Sequence, residues 1–340
     1  MNIDIIERWV KQFLPQDPYT LEPNLLCKET NVSDKDFNDN IVSELFSLCP
    51  SCNITPFDYT VRFDLCATNL IKKLFDAHYD DDTLIITSNN EHKNVQDIMQ
   101  NKNVLVLDQD TEIHKLKINR VLSYTKQYKK IIVYIIGTQL SSGIITPNAF
   151  FTMLKTMLES AGCNVTLIID DVQGMYIVPR DYSIFDYIIG TAHSVIGNFD
   201  MGILVQKNSN NPIGFKYYES SADYIKKMKI FLNNNQIALY QFYSVMQEAF
   251  SVELANPNTK IQLKSAPNIF NIQLGSTVTN DSIHFSKSDE ALFNKYFIHL
   301  EGLDGKCINQ SIRFRAQEFL YYWKNVKKGL YLLQEYIKDR

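Results

Sequence analysis

The sequence predicts an α/β protein, a doubly wound and mostly parallel sheet followed by a smaller α+β domain. Two observations carry that expectation. Six short, continuous, β-branched apolar runs follow one another: TLIIT (83–87), VLVLD (104–108), KIIVYII (130–136), VTLIID (165–170), DYIIGT (186–191) and MGILVQ (201–206). Runs without polar alternation suit strands buried on both faces of a parallel sheet. Helical patterns lie between them, and β-α-β alternation of this kind builds a doubly wound domain.

In chain order, MNIDIIERWVKQFL has early acids and apolar residues at helical spacing (Ile6, Trp9, Val10, Phe13), the pattern of a helix and not of a signal peptide. Residues 1–55 are expected to form this helix and an arm packed on the small domain. The large domain is expected over 56–250, about Pro56 to Phe250. Within it YTVRF leads through Cys66-Ala67-Thr68 into a helix. TPNAFFTMLKTMLESAG reads as a further helix, with Thr146 as N-cap, Pro147 at the first helical position and Gly162 as the stop. NSNNP (208–212) is a polar loop, and a long helical stretch covers about Ala222 to Glu253. The small domain, 251–340, has short strand-like pieces such as APNIFNIQL and a final helix over about Gln317 to Lys338.

The 340 residues are 45% hydrophobic and 21% charged, with a formal net charge of −4. A mildly acidic balance without a Lys/Arg block gives no footprint for nucleic acid. No apolar run approaches the ~20 residues of a spanning helix, so no membrane partner is expected. Six cysteines are too sparse for a disulfide scaffold. Cys49 and Cys52 form CPSC, a spacing that suits half a zinc site or a redox pair, but no second CxxC or nearby HxxxH completes a metal site. The other reading is buried or loop cysteines in a reducing cytosol. A cytoplasmic protein is the expectation.

In open α/β sheets ligands bind outside the carboxyl ends of the strands. That rule selects Cys66, Ala67 and Thr68 after YTVRF, Glu91 and His92 after TLIIT, Asp170 closing VTLIID with Gln173 beyond it, and Thr191 and His193 after DYIIG.

In this order the motifs resemble the fold-type I pyridoxal-phosphate enzymes, specifically the class V aminotransferases and cysteine desulfurases. The resemblance runs from about Thr60 to Gln206, with echoes at APNIFNIQL and SIRFRA. It implies that CATN (66–69) stands for the Gly-Ala-Thr turn that holds the cofactor phosphate at a helix N-terminus, with Cys66 departing from glycine. It implies that His92 of EHKN stacks on the pyridine ring. Asp170 of DDVQG would pair with the pyridine N–H and keep the ring an electron sink, while Gln173 would donate to the phenolic oxygen. In TAHS (191–194) Thr191 and His193 would meet the phosphate, but Ser194 occupies the place of the Schiff-base lysine. A serine hydroxyl can neither form that imine nor move protons as the lysine amine does. Neither Lys207 nor Lys216 is placed by a motif. Arg313 in SIRFRA resembles the arginine that binds a substrate carboxylate bidentately, with Arg315 as competitor. Cys307 falls where some desulfurases carry their nucleophile. LSSG (140–143) lacks the asparagine of the usual NETG, a place that Gln139 could take.

The resemblance therefore implies a degenerate member that binds pyridoxal phosphate, or an aldimine of it, noncovalently, as a homodimer or as a heteromer with a related subunit. The alternative is an active enzyme on an amino-acid or amino-sugar substrate that uses His193 or His92 as base in place of lysine.

Overall fold

The computed structural model describes residues 1–13, 44–49, 52–55, 57–113, 115, 117, 119–140, 142–191, 201–208, 220–250, 260–261, 266–273, 285–301 and 310–338. They fall into two compact units, one of residues 22–139 and 145–230, the other of 1–21, 140–144 and 231–340. Among the described residues no helix is long and apolar enough to cross a membrane.

The larger unit holds a seven-stranded sheet: β1 (Tyr59–Asp64), β2 (Thr83–Ser88), β3 (Val104–Leu107), β4 (Lys130–Ile136), β5 (Asn164–Asp170), β6 (Tyr187–Thr191) and β7 (Gly202–Lys207). Their spatial order is β1-β7-β6-β5-β4-β2-β3. The strands from β2 to β6 are parallel, and β7 runs antiparallel to both β6 and β1. Each of the six apolar runs becomes a strand. Every side chain of β2 and β6 is buried, as expected of strands covered on both faces.

Helices α2 (Ala67–His78) and α3 (Lys93–Met99) cover one face of this sheet. Leu70, Ile71, Leu74 and Phe75 of α2 and Val95 and Met99 of α3 share a core with Ile85, Ile132, Tyr134, Ile168, Tyr187 and Ile189. Helix α4 (Asn148–Ser160) buries Phe150, Phe151, Leu154 and Leu158. Its start differs from the sequence expectation, because the N-cap is Pro147 and not Thr146. The Thr146 hydroxyl donates to the Ile136 carbonyl at 2.7 Å and accepts from Gln109 Nε2 at 3.1 Å. A fully buried tertiary acceptor has taken the hydroxyl that a helix start would have used. The helix ends as expected at Gly162, whose φ of +82° is the left-handed conformation that glycine adopts without a Cβ penalty.

The smaller unit carries a four-stranded antiparallel sheet of β8 (Lys260–Ile261), β9 (Ile269–Gln273), β10 (His299–Glu301) and β11 (Ser311–Arg315), ordered β10-β11-β9-β8. With it go α1 (Ile3–Phe13), α6 (Lys287–Asn294), α7 (Ala316–Lys338) and, from residue 231, the second part of α5 (Ser220–Phe250). Trp9 of α1 meets Phe242 of α5 with ring centroids 5.4 Å apart, and Phe250 meets Phe314 of β11 at 5.3 Å. These aromatic contacts make this unit's core.

Candidate functional site

The strand order sets the place of the site. After β2 the chain passes outward to β3, and after β3 it returns past β2 to β4 and continues toward β7. The crossovers reverse between β2 and β4, and a crevice opens outside the carboxyl ends at such a reversal. Register brings Ile136, Asp170 and Ile189 level, and pairs both Thr191 and Asp64 with Gly202. The ends of β1, β2, β4, β5 and β6 therefore share one rim.

Successive side chains of a strand face opposite ways. Asp170 shares the face of Tyr134 and Ile168, beneath α2 and α3. It is 4% exposed. One of its carboxylate oxygens accepts from the Tyr134 hydroxyl at 2.5 Å and the other from the Val172 amide at 3.2 Å. Burial drives its carboxyl above the ordinary range, while the Tyr134 and Val172 hydrogen bonds and the nearby His92 pull the other way. Among the described residues no lysine or arginine stands among the groups that perturb it.

Asp171 has a different fate. It is fully buried, and its Oδ2 accepts from Arg180 Nε at 3.0 Å and from the Tyr182 hydroxyl at 2.6 Å. Its Oδ1 accepts from Thr138 at 3.1 Å. Arg180 is completed by the carbonyls of Thr146 and Gly137 and by the Asn148 side chain, at 2.8 to 3.0 Å. Two consecutive buried aspartates thus differ, one neutralised by Arg180 and the other with no lysine or arginine acting on it among the described residues.

Glu91 lies beside Asp170 and is also buried. Its Oε1 accepts from the Ser88 hydroxyl at 2.6 Å and the Ile136 amide at 3.0 Å, while its Oε2 is buried without a partner among the described residues. Burial raises this carboxyl to about 8, with the neighbouring Asp170 charge adding to the rise, so it is neutral at pH 7.

His92 is the exposed N-cap of α3, its Nδ1 accepting from the Asn94 amide at 3.3 Å. α3 packs on the Asp170 face, and the histidine is near enough for its charge to act on that carboxyl. Gln173 is buried, and its Oε1 has no partner among the described residues. Cys66 is the N-cap of α2 without a side-chain cap bond, so Ala67 and Thr68 open the helix with no acid in its first turn. The turn approaches β7 closely: a Cβ on Gly202 would lie 2.5 Å from the Ala67 nitrogen and from the Cys66 carbonyl carbon. Thr191 ends β6, buried, and its hydroxyl donates to the Met201 carbonyl at 2.9 Å.

The structure thus brings Cys66, Ala67, Thr68, His92, Asp170, Gln173 and Thr191 to one end of one sheet. His193, Ser194 and Cys307 lie outside the described residues. Arg313 belongs to the smaller unit, buried on β11 between His299 and Asn271. Arg315 binds Glu318, whose Oε1 also meets His299 Nε2 at 2.8 Å, an intramolecular engagement.

Sequence reasoning selected Glu91 by position but not its neutrality, and it missed Tyr134 and the Asp171–Arg180–Tyr182 cluster. The one available signal was Tyr134 itself, a side chain with a hydroxyl inside an otherwise aliphatic run.

No family model matches this chain, and no curated protein matches it in sequence. Among solved structures the fold recurs. A NifS-like protein from Rickettsia africae is 16% identical, with a TM-score of 0.65 over 98% of this chain and 96% of that one. The pyridoxal-phosphate-bound C-S lyase of Staphylococcus hominis, complexed with L-cycloserine, is 11% identical, with a TM-score of 0.64 over 99% and 90%. Cystalysin from Treponema denticola, which contains pyridoxal 5′-phosphate, is 12% identical, with a TM-score of 0.64 over 100% and 89%. At these identities the likeness establishes architecture: the chain has the mixed α/β fold, with its large mostly parallel sheet, of fold-type I pyridoxal-phosphate proteins.

Proposed function

We propose that this chain binds pyridoxal phosphate noncovalently at the carboxyl ends of β2, β4, β5 and β6, as a degenerate relative of the class V aminotransferases and cysteine desulfurases. The carrying observation is Asp170, a buried carboxylate on which His92 acts from nearby but no lysine or arginine does among the described residues. Holding that charge out of water is costly unless a cation meets it. A protonated pyridine nitrogen is such a cation, and Asp170 would fix it there. The buried Gln173 amide would meet the phenolic oxygen, and His92 would cover the ring. The uncapped N-terminus of α2, with Thr68, would hold the phosphate. Thr191 is less apt for that role, because its hydroxyl proton is given to Met201. When bound, the cofactor supplies an electron sink for chemistry at an amino group.

Ser194 would leave this pocket without an amine for covalent attachment or proton transfer, so ordinary transaminase or desulfurase turnover is not expected. A binding or regulatory role is the consequence, in a homodimer or beside a competent related subunit. The alternative, an enzyme with a histidine base, would rest on His193, because the Nδ1 lone pair of His92 is already used by the Asn94 amide.

The test compares the wild type with Ser194→Lys, by absorption spectra with added pyridoxal phosphate and by borohydride reduction followed by peptide mapping. The expected result is saturable binding without a fixed adduct in the wild type, and an adduct on the introduced lysine in the variant. An adduct in the wild type at Lys207, Lys216 or elsewhere would overturn the degenerate reading. No binding to either protein would overturn the cofactor reading. Turnover of an amino substrate by the wild type would favour the alternative.

A further inference from the structure

Neither cysteine of the CPSC pair has a role in the cofactor site proposed above. Cys49 comes after a single helical turn at 44–47; its amide donates to the Phe46 carbonyl at 3.1 Å and its Sγ to the Leu45 carbonyl at 3.7 Å. It is 6% exposed, whereas Cys52 is partly exposed. The two thiols are near enough to shift each other's titration and are both free. The chain beyond Cys52 is anchored: Asn53 bonds to Asp181, and the Tyr59 hydroxyl donates to the carbonyls of Ser183 and Phe185, at 3.0 Å to each. Among the described residues no group of three or more His, Cys, Asp or Glu could hold a metal. A structural zinc site would need such a set.

The two sulfurs are chemically unlike. The neighbouring Cys49 thiol lowers the Cys52 thiol, and Cys52 together with burial raises the Cys49 thiol. A thiolate is the attacking species in disulfide exchange, so the accessible sulfur is also the better nucleophile. The buried one neighbours it and is screened from outside reagents.

We propose that Cys49 and Cys52 form a dithiol–disulfide exchange site whose substrate is a low-molecular-weight disulfide. The Cys52 thiolate attacks one sulfur of the external disulfide, whose S–S bond breaks and releases one thiolate. Cys49 then attacks the Cys52 sulfur, forming the intramolecular bond and expelling the second thiolate. The protons of the two protein thiols end on the two released thiols. The protein pair is oxidised by two electrons, and the external disulfide is reduced by two.

The probe is oxidised glutathione, applied to the reduced full-length protein at neutral pH, with acid quenching, alkylation and peptide mapping. The wild type is expected to lose alkylation at Cys49 and Cys52 together, through a bond joining their peptides, while Cys66 and Cys163 stay alkylatable. Cys49→Ser is expected to accumulate glutathione on Cys52, and Cys52→Ser to leave Cys49 unmodified. Alkylation of Cys52 in the untreated wild type should outpace that of Cys66, with a midpoint on the acid side of an ordinary thiol. The proposal is overturned if Cys52 reacts no faster than Cys66, if glutathione enters first at Cys49, or if no Cys49–Cys52 bond forms. Stoichiometric zinc in the purified protein, lost in both variants, would also overturn it.

Discussion

Replacing Glu91 by glutamine should change how the stability of the larger unit depends on pH. The folded protein keeps the Glu91 carboxyl protonated up to about 8, while the unfolded chain releases it near the ordinary 4.5. Between those values the native state holds the extra proton, so stability falls as pH rises through the window and levels off above it. At about 1.4 kcal/mol per pH unit the whole window is worth on the order of 5 kcal/mol, and the part between pH 5.5 and 8 about 3 kcal/mol. Glu91→Gln removes the titration and keeps an oxygen for Ser88 and Ile136. Its amide places a donor where Oε2 has no partner among the described residues, but the protonated acid at low pH faces the same deficit, so that cost cancels in the comparison.

The assay is urea unfolding of both proteins at pH 5.5 and 8.5, at constant ionic strength, followed by far-ultraviolet circular dichroism. Tryptophan emission is the wrong probe, since Trp9 and Trp323 both belong to the smaller unit. The variant should gain on the wild type by about 3 kcal/mol between the two pH values. An identical difference at both would mean that Glu91 ionises normally inside the fold, and the reasoning from its burial would fail.

Arg180→Met should lower stability by about 3–5 kcal/mol in urea, because it strands the buried Asp171 charge, and adding Asp171→Asn should recover much of the loss. Equal loss in the single and double variants would show that the pair's charge is not the issue. Gly202→Ala should cost about 1–3 kcal/mol, since the new Cβ meets Cys66 and Ala67 backbone 2.5 Å away. It should also weaken pyridoxal phosphate binding in a spectroscopic titration, whereas unchanged affinity would remove the α2 turn from the phosphate role. Sedimentation at micromolar concentration should give a dimer, and a monodisperse monomer would count against that part of the proposal.

The strands were legible because burial on both faces leaves no polar alternation: KIIVYII and TLIIT announce themselves whatever surrounds them. Thr146-Pro147 reads as a helix start because the local rules for threonine and proline agree. They lost to a carbonyl of β4 that no local rule contains. The aspartate doublet shows the limit more sharply. Spacing singled out Asp170 over the bland reading of two solvated charges after a strand, but it said nothing of what Asp171 would do. Strand alternation sends the two to different sides, and only the folded chain reveals that Arg180, nine positions on, reaches Asp171 and not Asp170. Likewise the hydroxyl of Tyr134 finds Asp170 through a register between β4 and β5 that pairs Tyr134 with Ile168 and Ile136 with Asp170. The same register makes the functional argument possible. A fold that merely tolerated two buried acids would be expected to compensate both alike. This one gives Asp171 a cation and three further hydrogen-bonding groups around that cation, and gives Asp170 a phenol and an amide, neither of which carries positive charge. Under the proposed function, Asp170, with no lysine or arginine acting on it among the described residues, would receive the cationic ring nitrogen of the bound cofactor.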